Sequence, residues 1–153
     1  MILLPELLSS LRVKVPLEAT TKEDVLRELV DLLAEDGCVA DPEAVVRVVR
    51  EREQVLSTGI GHGVALPHGK SDACGELSMA AGVTVEPVDF DALDQEPVRL
   101  VFLLVGPESA AGPHIKALSR ISHMVRRPTV RERLMQAENS ETFLRVLREA
   151  EAG

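Results

Sequence analysis

Tryptophan and tyrosine are absent from this chain of 153 residues, and phenylalanine occurs three times. Without rings to stack on, recognition of nucleobases or sugar faces is disfavoured, and the core must be built from Val, Leu, Ile and Ala. Cysteine is scarce as well. Cys38 and Cys74 have no CxxC spacing, which argues against a zinc ribbon or a dithiol redox motif and fits a reducing compartment. No apolar stretch reaches the roughly 18 residues of a membrane span. The N-terminal MILLPELLSS is broken at Pro5 and has no basic region ahead of it, so it does not read as a secretory signal. A cytoplasmic protein without direct membrane insertion is expected. Positive charge is the scarcer sign, with 17 Lys and Arg against 25 Asp and Glu, a formal net charge of −8. That balance opposes phosphate backbones and anionic lipid, so nucleic acid is not an expected partner. Repeats, low-complexity tracts and Ser/Gly linkers are missing too, and residues 1–153 are read as a single domain, long enough to bury a core without disulfide or metal.

What is present is a succession of periodic segments. Thr20 and Glu23 have capping-box spacing, and Val25, Leu29, Leu32 and Leu33 follow on one helical face until Gly37, which predicts a helix over 21–36. Asp41 as cap with Pro42 in the first turn opens a second helix, running to about Glu53. The apolar runs 63–66, 77–85 and 98–105 read as strands. The last, VRLVFLLV, is almost wholly apolar, as a strand covered on both faces would be. Gly112-Pro113 then opens a helix on which His114, Leu118, Ile121 and Val125 share a face, with His114 at its positive end, and Pro128 closes it. A short helix over 130–137 and a last one capped by Ser140, with Phe143, Leu144 and Leu147 inward, complete an α/β or α+β layered domain with a mixed sheet.

The segment STGIGHGVALPHGK, residues 57–70, holds four glycines and two histidines. Its GxGxG spacing is shared with nucleotide loops, but neither GxxxxGK[ST] nor GxGxxG leading into a helix is completed. His62, His68, His114 and His123 offer metal ligands, yet His62 and His68 are six residues apart with no cysteine beside them. His68 could also do no more than cap a turn. A further reading uses more of the chain. Imidazole is nucleophilic at neutral pH and a good leaving group once phosphorylated, so a phosphoryl carrier needs an exposed, fixed histidine. Pro67 stiffens the approach to His68, and Gly69 leaves a donor room to come close to the ring. The transferred group must be received by positive charge and donors, for which Arg52 and His114 are the candidates.

TGIGHGV followed by ALPHG resembles the phosphorylation-site signature of the type-2 enzyme IIA domain of the phosphoenolpyruvate-dependent phosphotransferase system, the fructose, mannitol and nitrogen-regulatory branch. The similarity runs over roughly residues 5–150. It implies a layered α/β/α domain with a mixed β-sheet flanked by helices, and a phosphotransferase activity that needs no cofactor or metal. It implies that His68 takes a phosphoryl group from the carrier protein HPr. Arg52-Glu53, sixteen residues upstream of His68, matches the family's Arg-Glu pair, with Arg52 gripping phosphate. His114, at a helix start after the long apolar strand, matches the second active-site histidine. No role is implied for His62, read as a solvated turn residue. Lys70 is either added positive charge beside His68 or an idle surface lysine, and Arg50 is a surface partner for a glutamate.

Two downstream roles are compatible with this. A regulator of the nitrogen-regulatory type would signal through its phosphorylation state to a target protein, and the absence of a fused IIB, IIC or HPr segment favours that expectation. A transport subunit would hand the group to a fructose- or mannitol-type IIB permease component. A metal- or nucleotide-binding module is the outside alternative.

Overall fold

A computed structural model describes residues 4–55 and 57–152. The expected helices form, and side-chain caps mark where three of them begin. Helix α2, Lys22–Glu35, follows a short α1, Leu4–Leu7. Its cap is Thr21 and not Thr20: the Thr21 hydroxyl accepts from Asp24 N, so the box is shifted by one residue. Gly37, at φ +77, ends it in the left-handed region that glycine reaches without strain. Helix α3, Pro42–Val55, starts as expected, with Asp41 Oδ1 accepting from Ala44 N at 3.2 Å. Helices α4, Ala111–Val125, α5, Pro128–Met135, and α6, Ser140–Ala152, follow. The cap of α6 is Asn139, whose side chain accepts from Thr142 N. Ser140 instead donates to Val13 O at 2.7 Å, fastening α6 to the start of strand β1, Val13–Leu17.

The long strands β5, Ser78–Val88, and β6, Val98–Gly106, pair antiparallel and form the middle of the sheet. On the far side of β5 lies β1, in parallel; on the far side of β6 lies the short β3, Val64–Ala65, in parallel, with β2, Gly59–Gly61, antiparallel beyond it. A last short strand, β4, His68–Lys70, continues alongside β6. The sheet is therefore mixed, in the order β1-β5-β6-β3-β2.

Both faces of this sheet are covered, which is why β6 has no polar alternation. Leu100, Phe102 and Leu104 point into a core shared with α1, α4, α5 and α6. Val101, Leu103 and Val105 point into a second core shared with α2 and α3. Each such side chain stabilises the fold by roughly 1.5–3 kcal/mol relative to leaving it in water. The result is the layered α/β/α arrangement expected from the sequence, with the C-terminal end of β6 emerging between α3 and α4.

Candidate active site

The chain reaches His68 through a hairpin that only its composition permits. Gly61 and Gly63 stand at φ +98 and +79, with His62 between them at φ +57. That reversal lays β3 beside β6, and the Leu66 N–H then bonds back to Thr58 O at 3.0 Å. Pro67 passes the chain on, its carbonyl accepting from Leu104 N at 3.0 Å, and His68 pairs opposite Leu104. His68 is thus the first residue of a short strand and half-buried, where the sequence had indicated an exposed turn. Gly69 also has a packing task. A Cβ there would lie 2.8 Å from Val48 Cγ1 and 3.3 Å from Val49 Cγ2, so the glycine lets α3 lie close over β4.

The His68 ring is held by one bond: Nδ1 lies 2.8 Å from Leu66 O. A carbonyl oxygen can only accept, so Nδ1 carries the proton and Nε2 the lone pair. Burial holds the His68 pKa below the usual histidine value; the Leu66 carbonyl and Glu53 oppose the shift, and Arg52 and Lys70 reinforce it. Near neutral pH the ring is therefore uncharged, with a single nucleophilic nitrogen.

His114 meets it from the other side. After β6 the chain makes a short helical turn, Glu108–Ala110, and enters α4, so His114 falls in the first turn of that helix with its ring 5.7 Å from that of His68, edge to face. Its burial was not legible in the sequence: the residue is 2% exposed, and neither ring nitrogen has a hydrogen-bond partner among the described residues. Burial, with His68 and Lys70 nearby, pushes its pKa down to about 4. The site thus contains a neutral imidazole whose N–H has nothing to donate to, in a position where buried polar groups are nearly always paired.

Arg52 lies in the last turn of α3, half-buried, close enough to act electrostatically on His68. Next to it, Glu53 turns inward to 6% exposure. Its carboxylate pairs with Lys22 Nζ at 2.6 Å and accepts from the N–H of Thr58 at 2.9 Å and from the Thr58 hydroxyl. Sequence reasoning placed Glu53 in a pair with Arg52 but missed Lys22, on another helix, and Thr58, five residues on past the end of α3, because no periodic pattern marks either contact. Lys70 ends β4 beside both histidines electrostatically. His62 is exposed, its backbone N–H donating to Asp94 Oδ2 at 3.1 Å, and takes no part. Arg50 points away to form an ion pair with Glu23, the surface role expected of it. His123 is exposed in the last turn of α4, far along the helix from His114. Among the described residues no group of three or more His, Cys, Asp or Glu is placed to hold a metal ion, and no helix is long and apolar enough to cross a membrane.

The same architecture recurs among known proteins. The nitrogen regulatory protein IIA-Ntr of Neisseria meningitidis superposes with a TM-score of 0.87 at 34% identity, over 94% of this chain and 97% of that one. The nitrogen regulatory protein of Pseudomonas aeruginosa is 34% identical over 100% of this chain and 99% of its own length. The fructose-specific EIIABC component of Bacillus subtilis is 34% identical over 93% of this chain, which spans only 22% of that larger protein. The family described as phosphoenolpyruvate-dependent sugar phosphotransferase system, EIIA 2, matches residues 6–150, nearly the whole sequence, and the chain belongs to it.

Proposed function

We propose that His68 Nε2 is the phosphoryl acceptor of this EIIA domain, with Arg52 and His114 receiving the phosphoryl oxygens. EIIA domains are the phosphoryl carriers of the phosphotransferase system, and this chain is one of them. The observation that carries the residue assignment is the Leu66 carbonyl on His68 Nδ1, which leaves Nε2 as the one nitrogen with a lone pair. In the transfer, Nε2 attacks phosphorus in line; the bond from phosphorus to the donor breaks, and its electron pair leaves with the donor. Arg52 and Lys70 offset the charge on the equatorial oxygens. The orphaned His114 N–H donates to one of them, and as a neutral ring it can do so without competing for the proton. The phosphoryl donor is HPr.

The test is direct. Phosphoenolpyruvate, enzyme I and HPr together should phosphorylate the protein once, with an acid-labile, base-stable product, and His68→Ala should abolish the label. Undiminished labelling of that variant would overturn the assignment.

Downstream, we favour a regulatory role, in which a target protein distinguishes the two phosphorylation states. The likeness to the Pseudomonas protein over essentially both full lengths supports it. The likeness to a fructose-specific EIIABC component supports a second reading, transfer to a IIB component. Supplying IIB, permease and a panel of sugars separates them. A regulator keeps its phosphoryl group, whereas a transport subunit empties within seconds on one sugar.

A further inference from the structure

Glu53 is an unusual residue to bury at the end of a helix. A carboxylate taken out of water carries a desolvation penalty that a well-packed apolar side chain would avoid, so fastening α3 to its neighbours does not require one. What the carboxylate does is join three segments at one point, with Lys22 tying in a fourth. Lys22, the first residue of α2, pairs with Glu53 Oε2 at 2.6 Å and also donates to Phe90 O at 3.1 Å. Glu53 Oε1 accepts from both the N–H and the hydroxyl of Thr58. From there two bonds, joined through the backbone of Leu66, lead to the ring. The Leu66 N–H donates to Thr58 O at 3.0 Å, and His68 Nδ1–H donates to Leu66 O at 2.8 Å. Arg52 occupies the same helical turn as Glu53.

We propose that Lys22, Glu53 and Thr58 are positioning residues for phosphoryl transfer, holding in one register the Leu66 carbonyl that selects the His68 tautomer and the turn that presents Arg52. The inference rests on the acceptor role of His68 proposed above. Thr58 holds Leu66 by its N–H, one backbone step before the carbonyl, and a backbone segment held there keeps that carbonyl aimed at Nδ1 and the lone pair on Nε2. Loosening Thr58 loosens the Leu66 backbone that carries this carbonyl, and with it the hold on the ring's tautomer. A reacting atom displaced by about 1 Å is enough to lower a rate by about 100-fold.

Thr58→Val removes the hydroxyl and keeps the shape, Thr58→Ser keeps the hydroxyl, and Glu53→Gln removes the charge that faces Lys22. Each full-length variant is assayed for phosphoryl uptake from phospho-HPr, separating kcat from KM. The His68 tautomer is read from long-range proton–nitrogen NMR correlations above pH 7. Thr58→Val and Glu53→Gln should lose about 10- to 100-fold in kcat, with KM within about twofold of the parent. Both should show the Nε2–H form beside the Nδ1–H form, and Thr58→Ser should restore rate and tautomer. A Thr58→Val protein that melts earlier yet keeps the parental kcat and a single tautomer overturns the proposal and leaves the network structural. If Glu53→Gln fails to fold, the Thr58 pair decides. Labelling of His68→Ala, run alongside, reports failure of the acceptor assignment separately, since the tautomer measurement does not depend on transfer.

Discussion

The two flanks of the His68 ring are built in opposite ways. On the α3 side polar groups are paired: Lys22 with Glu53, Glu53 with Thr58, Thr58 with Leu66 and Leu66 with His68 itself. On the α4 side stands His114, just as deeply placed, with two ring nitrogens that meet nothing. A buried donor without a partner destabilises the resting protein by about 1–3 kcal/mol. The contrast teaches a division of labour. Under the proposed assignment, the paired flank fixes His68 before the donor arrives, and the unpaired flank is completed by the oxygens that come with the phosphoryl group.

The largest effect should come from removing the charge on the paired flank. Arg52→Ala should slow uptake from phospho-HPr by roughly 10²–10³, about 2–4 kcal/mol of barrier, as when one preorganised donor to a developing charge is lost. Arg52→Lys should recover only part, because a compact ammonium cannot replace the planar fork. Single-turnover rates at saturating donor measure both. Parental rates in Arg52→Ala would erase the distinction between the flanks.

The unpaired flank is tested by acid. Unfolded, His114 takes up a proton near its ordinary value of 6.5; folded, it resists until about 4. Between those values the unfolded chain binds more protons, so stability falls as pH drops through the window, by about 3 kcal/mol for this group alone. Above pH 6.5 its contribution is level. Urea unfolding at pH 7 and at pH 4.5 should show the loss, and His114→Leu should remove most of it. The lowered value of His68 has the same sign and adds a further decline on acidification. A His114→Leu protein with an unchanged pH slope would mean that His114 is not held neutral.

This asymmetry marks how far the sequence could be read. The paired segments that recur at helical spacing were legible, since α2 to α6 each bury a periodic face, and so were β5 and β6 as apolar runs. His68, Arg52 and His114 were placed by motif resemblance, and the fold brings the two histidines together. Three kinds of feature were not legible. Strand β1 carries Pro16 near its end, which reads as irregular chain but is tolerated at a sheet edge. The strands β2 and β4 are three residues each, too short to show a period, whereas β3 falls within the apolar run 63–66. The Lys22–Glu53–Thr58 cluster and the isolation of the His114 nitrogens depend on contacts across the fold, which local pattern does not record.

A smaller effect probes the packing behind the nucleophile. Gly69→Ala would set a methyl 2.8 Å from Val48 Cγ1, and relief requires β4 and α3 to part slightly. Overpacking of this kind should destabilise by about 1–3 kcal/mol, read as a lower urea midpoint. Because His68 precedes Gly69, uptake should slow as well. If stability falls while the rate stays at the parental value, the close approach of α3 serves folding alone.

The smallest effect is expected two residues upstream of Arg52, and it sharpens the comparison most. Arg50 and Arg52 lie on the same helix, but Arg50 reaches outward to Glu23, with side chains 42% and 61% exposed. Surface pairs of this kind contribute between about 0.2 and 1 kcal/mol, and screening by salt reduces even that. Arg50→Ala should therefore lower stability by less than about 1 kcal/mol at low salt and by less still at about 1 M salt, where the Debye length falls to about 3 Å. Its phosphoryl uptake should match the parent, since Arg50 reaches outward to Glu23 while Arg52 acts on His68. The two arginines differ in what their side chains face, not in local sequence, and a single assay on both variants reads that difference. A slow Arg50→Ala beside a normal Arg52→Ala would move the phosphate-gripping role by two positions and place the receiving charge on the outer face of α3.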